Sequence, residues 1–463
     1  MSQTSFSSLR LSSVLLDNLE SLGYHAMTAI QEKSLPHILE GKDLIAQSKT
    51  GSGKTAAFGL GLLQKLDIKK FAVQSLVLCP TRELADQVAQ ELRKLARTTP
   101  NVKILTLCGG AAFGPQVGSL EHGAHIIVGT PGRIEEHLRK GTLKIDGLTV
   151  LVLDEADRML DMGFEESLDA IIELIPSERQ TLLFSATYPD GIRAIADRIM
   201  DAPAMAQVDS SHTAESIQQF FYQFSSNGSG KRLTALRLVL QHYRPESAVV
   251  FCNTKVETRE VVAELCDDGF AAIALNGDME QRDRDKAMVR FANKSVSILV
   301  ATDVAARGLD IKALDLVVNY HVSPDHEVHV HRIGRTGRAG NKGTACTLYS
   351  DKESYKVEKL GNYLGQVFET QTLPSIDLLQ QPVYQPQMVT LQIDGGKKQK
   401  VRPGDILGAL TGSDGIAGSQ VGKIQLGDNW AYVAVDRTVV KVALAKLQNG
   451  KLKGRSFRTR LIS

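Results

Sequence analysis

The apolar run Val150-Leu151-Val152-Leu153 ends in an acidic cluster, Asp154-Glu155-Ala156-Asp157. Upstream stands a glycine-rich stretch, Ser48-Lys49-Thr50-Gly51-Ser52-Gly53-Lys54-Thr55. A Gly-rich turn ending in Lys-Thr cradles phosphates: its backbone N–H groups face the anion, Lys54 reaches the terminal phosphates and Thr55 ligates Mg²⁺. A carboxylate at a strand end, Asp154, holds the same metal, and its neighbour Glu155 orients the attacking water. Both groups belong at the carboxyl edge of one parallel sheet, so the pair predicts an α/β fold that hydrolyses a nucleotide. Ser48 stands where the strict phosphate-loop pattern has glycine, so the turn alone falls short of that pattern. The acidic strand end removes the alternative of a chance loop.

The flanking sequence agrees. Residues 40–210 alternate helical patterns with apolar runs at 44–46, 76–79, 104–107, 126–128, 150–153 and 181–184. Continuous apolar runs between amphipathic helices predict parallel strands covered on both faces. After a polar stretch at 207–217 the alternation restarts, with runs at 248–251, 271–275, 298–300, 316–318 and 344–348. No glycine-rich phosphate turn follows the first of these, 248–251, so this second domain is read as a similar sheet without its own nucleotide cradle. A break rich in proline and glutamine, Leu373 to Pro386, reads as a semi-rigid spacer. The domains expected are 1–210, 211–370 and 387–463, joined by a linker at 371–386.

The third domain differs in charge and pattern. Residues 387–463 carry thirteen Lys/Arg against five acids, a net of +8, which leaves −6 for the rest of a chain whose total is +2. A basic module on a mildly acidic body suggests a nucleic-acid anchor. Its pattern reads strand, helix, strand, strand, helix, strand, which suits a split β-α-β fold such as the RNA-recognition module. The third strand of such a module carries a basic-Gly-aromatic signature; here Asp428-Asn429-Trp430-Ala431-Tyr432-Val433 keeps only the aromatics. Alternation turns Val433 and Val435 inward and Trp430 and Tyr432 outward, where they either stack on bases or serve as half-exposed packing.

No apolar run approaches the roughly 18 residues of a membrane span, and the N-terminus lacks a basic patch followed by an apolar core, so neither a membrane nor a signal peptide is expected. Five cysteines occur without a Cys-x-x-Cys pair, which favours reduced structural thiols in a cytosolic protein over a zinc site.

With these residues in view, the chain resembles the DEAD-box RNA helicases. Gln31, in Gly23-Tyr24-His25-Ala26-Met27-Thr28-Ala29-Ile30-Gln31, is similar to that family's adenine-reading glutamine, and Phe6 to its upstream stacking aromatic. Met27 replaces the usual proline. Pro80-Thr81-Arg82-Glu83, Gly109-Gly110 and Thr130-Pro131-Gly132-Arg133 match RNA-contact motifs, and Ser185-Ala186-Thr187 follows the acidic element in family order. The second half supplies Phe251-Cys252-Asn253-Thr254, Gln281 with Arg284, Ala301-Thr302-Asp303, Arg307-Gly308-Leu309-Asp310, and His331-Arg332-Ile333-Gly334-Arg335-Thr336-Gly337-Arg338. The set spans residues 6 to about 345.

The resemblance implies two recA-like parallel-sheet domains in tandem, followed by an RNA-recognition-like α+β module. ATP is implied at Ser48, Lys49, Thr50, Gly51, Ser52, Gly53, Lys54 and Thr55, with Gln31 and Phe6 on adenine and Asp310 on ribose. Asp157 is implied to couple to Ser185 and Thr187, whose hydroxyls are otherwise turn formers. Arg335 and Arg338 place positive charge at the γ-phosphate, which makes hydrolysis depend on domain closure. Thr81, Arg82, Gly110, Thr130, Arg133, Arg284 and Thr302 are implied to grip a strand by its backbone, a contact that carries no sequence information. Selectivity then falls to the basic tail, through Lys397, Lys398, Lys451, Lys453, Arg455 and Arg458. The tail narrows the resemblance to members that act on a structured hairpin of 23S ribosomal RNA in pre-50S particles. Two other readings are an ATP-gated RNA clamp that never separates strands, and a DNA translocase; the acidic motif, Gln31 and the tail weigh against the second.

Overall fold

The computed structural model describes residues 4–48, 51–208, 217–225, 231–306, 314–323, 325–337, 343–412 and 415–462. They form two compact units, the first built on one sheet and the second on two.

In the first unit, β1 (Leu44–Gln47), β2 (Ser75–Leu78), β3 (Ile104–Leu107), β4 (Ile126–Gly129), β5 (Val150–Asp154), β6 (Gln180–Ser185) and β7 (Ala204–Gln207) pair in the order β3-β4-β2-β5-β6-β1-β7. Every pairing is parallel. The central strands are apolar along most of their length because both faces are covered. Val150 and Val152 pack into one core layer with Phe184 and Val77, while Leu151 and Leu153 pack into the other with Leu76 and Leu183. The pleat thus sends alternate residues of one strand to opposite helical layers.

The second unit repeats this plan with β8 (Ile217–Phe224), β9 (Ala248–Cys252), β10 (Ala272–Leu275), β11 (Ile298–Thr302), β12 (Leu316–Asn319), β13 (Gly343–Ser350) and β14 (Thr370–Gln371). Their order is β10-β11-β9-β12-β13-β8-β14. Two of its strands depart from the sequence expectation. The first strand is β8, not the run at 248–251, and β14 adds a two-residue edge. The glutamines of Ile217-Gln218-Gln219-Phe220-Phe221-Tyr222-Gln223-Phe224 disguise β8 as a polar segment, yet it pairs with β13 over its whole length.

The tail folds as β15 (Met388–Ile393), β16 (Val421–Leu426), β17 (Ala431–Asp436) and β18 (Thr459–Leu461), antiparallel in the order β16-β17-β15-β18. Helices Pro403–Thr411 and Val440–Asn449 connect them, which gives the expected split β-α-β arrangement. Val433 and Val435 face the helices in a core with Leu391 and Ile406.

The segment read as a spacer is instead pinned along the second unit. Gln241 Nε2 donates to Gln381 O at 2.9 Å, and Gln385 Nε2 donates to Gly269 O at 2.8 Å. Leu373 and Val383 pack against that unit's core. Proline and glutamine composition shows a stiff chain, but it does not show which backbone groups find partners.

Candidate active site

Following β1, the phosphate turn is shaped by two glycines in left-handed backbone, Gly51 at φ 81° and Gly53 at φ 98°. Gly53 caps the helix Lys54–Lys65. A side chain at Gly53 would put its Cβ 2.6 Å from Gln31 Nε2, so both conformation and space demand glycine. Gln31 does two jobs: its Oε1 accepts from Thr28 N at 2.9 Å, closing the start of helix Ala29–Glu40, and its Nε2 donates to Gly53 O at 3.1 Å. Lys54 is buried and donates from Nζ to Ser48 O at 2.9 Å, while Ser48 Oγ and Ser52 Oγ lie 2.8 Å apart. Lys49 and Thr50 lie outside the described residues. Phe6 does not stand open to a base: it is 3% exposed and packed in the core with Leu11, Leu15 and Met27. An aromatic upstream of the glutamine was read as a stacking platform, but an apolar ring with core neighbours gains more by burial.

β5 lies between β2 and β6 and delivers Asp154 buried at its end. Burial pushes the Asp154 carboxyl up to about 7, against the pull of the Lys54 ammonium. Its Oδ1 is buried without a hydrogen-bond partner. Glu155 follows in the left-handed region at φ 53° and ψ 52°, an uncommon place for a non-glycine residue. It forms an ion pair with Arg158 at 3.4 Å. Among the described residues no group of three or more His, Cys, Asp or Glu could hold a metal ion by itself. A Mg²⁺ that keeps most of its waters and takes one carboxylate plus substrate phosphates fits such a site, and the orphaned Asp154 oxygen is a suitable ligand.

Asp157 is tied to the strand beyond. Its Oδ2 accepts from Ala186 N at 3.1 Å, Thr187 N at 3.0 Å and Thr187 Oγ1 at 3.1 Å. Its own N–H donates to Ser185 Oγ at 3.3 Å. The serine and threonine hydroxyls are therefore more than turn formers.

The remaining first-unit motifs share the carboxyl edge of the sheet. Thr81 caps the helix Arg82–Leu95 by accepting from Leu84 N at 3.2 Å. The Arg82 guanidinium lies over Gly110, where an added Cβ would fall 1.7 Å from Nη1. Gly109 N donates to Thr130 Oγ1 at 3.4 Å. Arg133 is less available than its motif suggests: its side chain is 11% exposed and pairs with Glu136 at 3.1 Å.

In the second unit, Arg332 emerges as a hub that sequence reasoning gave no role. It is 2% exposed, grips Asp303 through Nε and Nη2 at 2.7 Å each, and reaches Asn319 Oδ1 and Asn253 Oδ1 at 3.3 and 3.4 Å. Three separated motifs are thus joined by one guanidinium. Arg284 donates to Asn276 O and Ala305 O at 3.3 and 3.4 Å, and Thr302 is buried at the end of β11. Arg335 is buried. Arg338 and Asp310 lie outside the described residues.

The tail presents its cations outward. Lys397, Lys398, Lys451, Lys453, Arg455 and Arg458 are all exposed. Lys398 pairs with Asp428 at 3.8 Å and Lys453 with Asp405 at 3.5 Å. Tyr432 does point away from the module's core, yet it is only 3% exposed. Its register neighbours on that face, Gln392 and Thr390, are equally covered, and Thr390 Oγ1 meets Ser295 Oγ at 2.5 Å and Asn293 Nδ2 at 3.3 Å. The sheet face that would stack bases is docked on the helicase part of the second unit, with Trp430 leaning on Tyr432 at 4.5 Å.

Three family descriptions match the chain: DEAD/DEAH box helicase over residues 28–195, helicase conserved C-terminal domain over 230–340, and DbpA RNA binding domain over 390–461. The ATP-dependent RNA helicase DbpA of Escherichia coli is 53% identical over 460 residues, 99% of this chain and 100% of the relative. The chain belongs to the DEAD-box RNA helicases. As a DEAD-box helicase it is an ATP-hydrolysing enzyme with an RNA-binding C-terminal domain. The DEAD-box helicase CshA of Bacillus cereus is 44% identical over 375 residues, covering 81% of this chain and 71% of the relative. Among solved structures, S. cerevisiae Dbp5 bound to RNA and ADP BeF3 superposes with a TM-score of 0.72 at 28% identity, over 81% of this chain and 96% of that one.

Within this helicase the structure gathers Gln31, Ser48, Lys54, Asp154, Asp157, Ser185 and Thr187 around one sheet edge. Glu136, Gln116, His137 and Arg332 join the motif networks without having been singled out. For Arg332 the available signal was its place inside the motif Arg332-Ile333-Gly334-Arg335. No local pattern marks the others.

Proposed function

We propose that this enzyme separates short duplexes in 23S ribosomal RNA within pre-50S particles in the cytoplasm, and that its C-terminal module brings it there. The observation that carries this reading is the exposed cationic surface of the module, Lys397, Lys398, Lys451, Lys453, Arg455 and Arg458, on a domain that matches an RNA-binding family over residues 390–461. The choice of ribosomal RNA follows from the resemblance of that tail. Tyr432 is assigned no base, because its face is already covered.

In the ATPase, Lys54 binds the β- and γ-phosphates, and Gln31 reads adenine while bracing Gly53. Glu155 orients the attacking water, and Arg335 with Arg338 stabilises charge on the transferred phosphoryl group. Thr55 and Asp154 would hold Mg²⁺, which when bound offsets the negative charge of the phosphates. Asp157, through Ser185 and Thr187, links the ATP side to the RNA loops at Thr81, Arg82, Gly110, Thr130 and Arg133. Arg284 and Thr302 hold RNA from the second unit.

RNA-stimulated phosphate release tests the proposal with 23S fragments and with unstructured RNA of random sequence. Half-saturation by the cognate fragment is expected at a concentration at least about tenfold lower, the gap that about 1.4 kcal/mol produces. Equal half-saturation would remove the ribosomal target. A strand-displacement assay that shows RNA binding without ATP-dependent separation would instead support an ATP-gated clamp.

A further inference from the structure

Between the loop after β3 and the helix Pro131–Arg139 after β4 lies a buried polar knot centred on a residue outside every motif. Gln116 is 9% exposed. Its Nε2 donates to Cys108 O at 3.0 Å, directly before Gly109-Gly110. Its Oε1 accepts from Arg133 Nη1 at 2.9 Å and lies 3.0 Å from His137 Nε2. The same Arg133 nitrogen donates to Ala111 O at 3.0 Å. His137 is fully buried, with Nδ1 2.8 Å from Thr142 Oγ1. Phe113 stacks on the His137 ring at 4.3 Å and 17°, and Lys140 Nζ sits 4.2 Å from the other ring's centre, over Phe113.

The partners suit a neutral His137 ring. Burial, reinforced by the Arg133 cation, holds the His137 pKa below its usual value. A neutral ring that donates from Nε2–H to Gln116 and accepts at Nδ1 from the Thr142 hydroxyl leaves no group in the knot unmatched. Gln116 is then a double acceptor and a donor at once, which neither leucine nor methionine can imitate.

We propose that Gln116 and His137 are positioning residues for RNA binding: they lock the Gly109–Ala112 loop and Arg133 into one rigid grip. Gly110, at φ 73° and without a side chain, has no stiffness of its own. Backbone N–H groups hold a phosphate only when their directions are fixed to a fraction of an ångström. The knot supplies that constraint from behind, without touching RNA. Phe113 clamps the same loop to the helix through its stack on His137. This inference rests on the reading of these loops as RNA contacts.

RNA-stimulated ATP hydrolysis by the full chain tests it, with an unstructured single-stranded RNA as the probe. Gln116→Leu is expected to raise the apparent KM for RNA about tenfold, the effect of losing hydrogen bonds to a charged group. The kcat at saturating RNA and the KM for ATP should stay within about twofold, because the phosphate turn is untouched. Gln116→Glu keeps the acceptor for Arg133 and His137 but turns its second oxygen on the Cys108 carbonyl, so it should recover only part of the loss. If Gln116→Leu folds poorly, Phe113→Leu preserves every hydrogen bond and should give the same split in smaller measure. An unchanged KM for RNA in both variants, with Arg133→Ala raising it, overturns the positioning role alone. If Arg133→Ala is silent too, the reading of this face as an RNA grip falls with it. Equal damage to kcat and to the KM for ATP overturns a role specific to RNA.

Discussion

Strand for strand, β8 to β14 repeat the order of β1 to β7. The strand after which the nucleotide cradle forms in the first unit, β1, has β8 as its counterpart. Even the sequence after β8, Gly228-Ser229-Gly230-Lys231-Arg232, looks like a phosphate turn, although residues 226–230 lie outside the described set. The difference begins one residue later. Lys54 is followed by the hydroxyl of Thr55, whereas Lys231 is followed by Arg232. That guanidinium is turned inward, onto Tyr320 O at 2.6 Å, Leu348 O at 3.1 Å and Glu353 at 2.5 Å. Likewise β5 ends at Asp154 with Glu155 next, while its counterpart β12 ends at Asn319 with Tyr320 next. One topology therefore carries two chemistries. Lys54 sits within the glycine-rich turn with a single bond to Ser48 O, whereas Arg232 is spent on two of the protein's own carbonyls and a carboxylate.

The largest expected effect comes from removing the lysine of the glycine-rich turn. Lys54→Ala should reduce ATP hydrolysis by about 10³-fold while circular dichroism stays native, since the lost interaction acts on developing charge. Arg232→Ala should leave hydrolysis per folded molecule within about threefold and lower thermal stability instead. A phosphate-release assay that finds the two variants equally inactive would erase the contrast.

Next comes the inward hub. Arg332→Ala leaves the Asp303 carboxylate and Asn319 without their partner, and should destabilise the second unit by about 3–5 kcal/mol. Urea unfolding followed separately in the two units measures this. A full-strength second transition would mean that Arg332 contributes little to its fold.

Removal of residues 387–463 tests how far targeting is separate from hydrolysis. The truncated enzyme should keep weak hydrolysis with any RNA, lose its preference for the 23S fragment, and need about 10²-fold more RNA for half-saturation. Retained preference in that assay would return selectivity to the two sheets.

The smallest effect is in pH. Burial, deepened by Arg332 and His326, pushes the His329 pKa down to about 3. The unfolded chain takes up a proton below about 6.5 and the folded one does not, so stability is full above that pH. It should fall by about 1.4 kcal/mol per pH unit between there and about 3. Denaturation of the second unit from pH 7 to pH 5 should show this slope, and His329→Gln should flatten it. A slope that persists in the variant would assign the proton to another group.

How much of this was legible beforehand depended on range. The central strands announce themselves because burial on both faces makes most positions apolar, and the motif residues lie where strands end. β8 was missed because Gln218, Gln219 and Gln223 interrupt its apolar run, and of these Gln219 has an interior partner, its Oε1 lying 3.0 Å from His329 Nε2. Arg332, Gln116 and the covered Tyr432 depend on partners distant in the chain, and no window of sequence contains both ends of such a contact. Phe6 failed for the opposite reason, since an aromatic carries the same letter whether it greets a base or fills a core.

Glu155 sets a strained backbone against a buried ion pair. In left-handed backbone a glutamate costs roughly 1 kcal/mol relative to glycine. Glu155→Gly relieves that strain but strips the buried Arg158 guanidinium of this carboxylate, so the melting temperature of the first unit should fall as turnover is lost. A laboratory selection that rewards heat resistance alone would therefore keep the carboxylate at this position, blind to whether it also serves turnover.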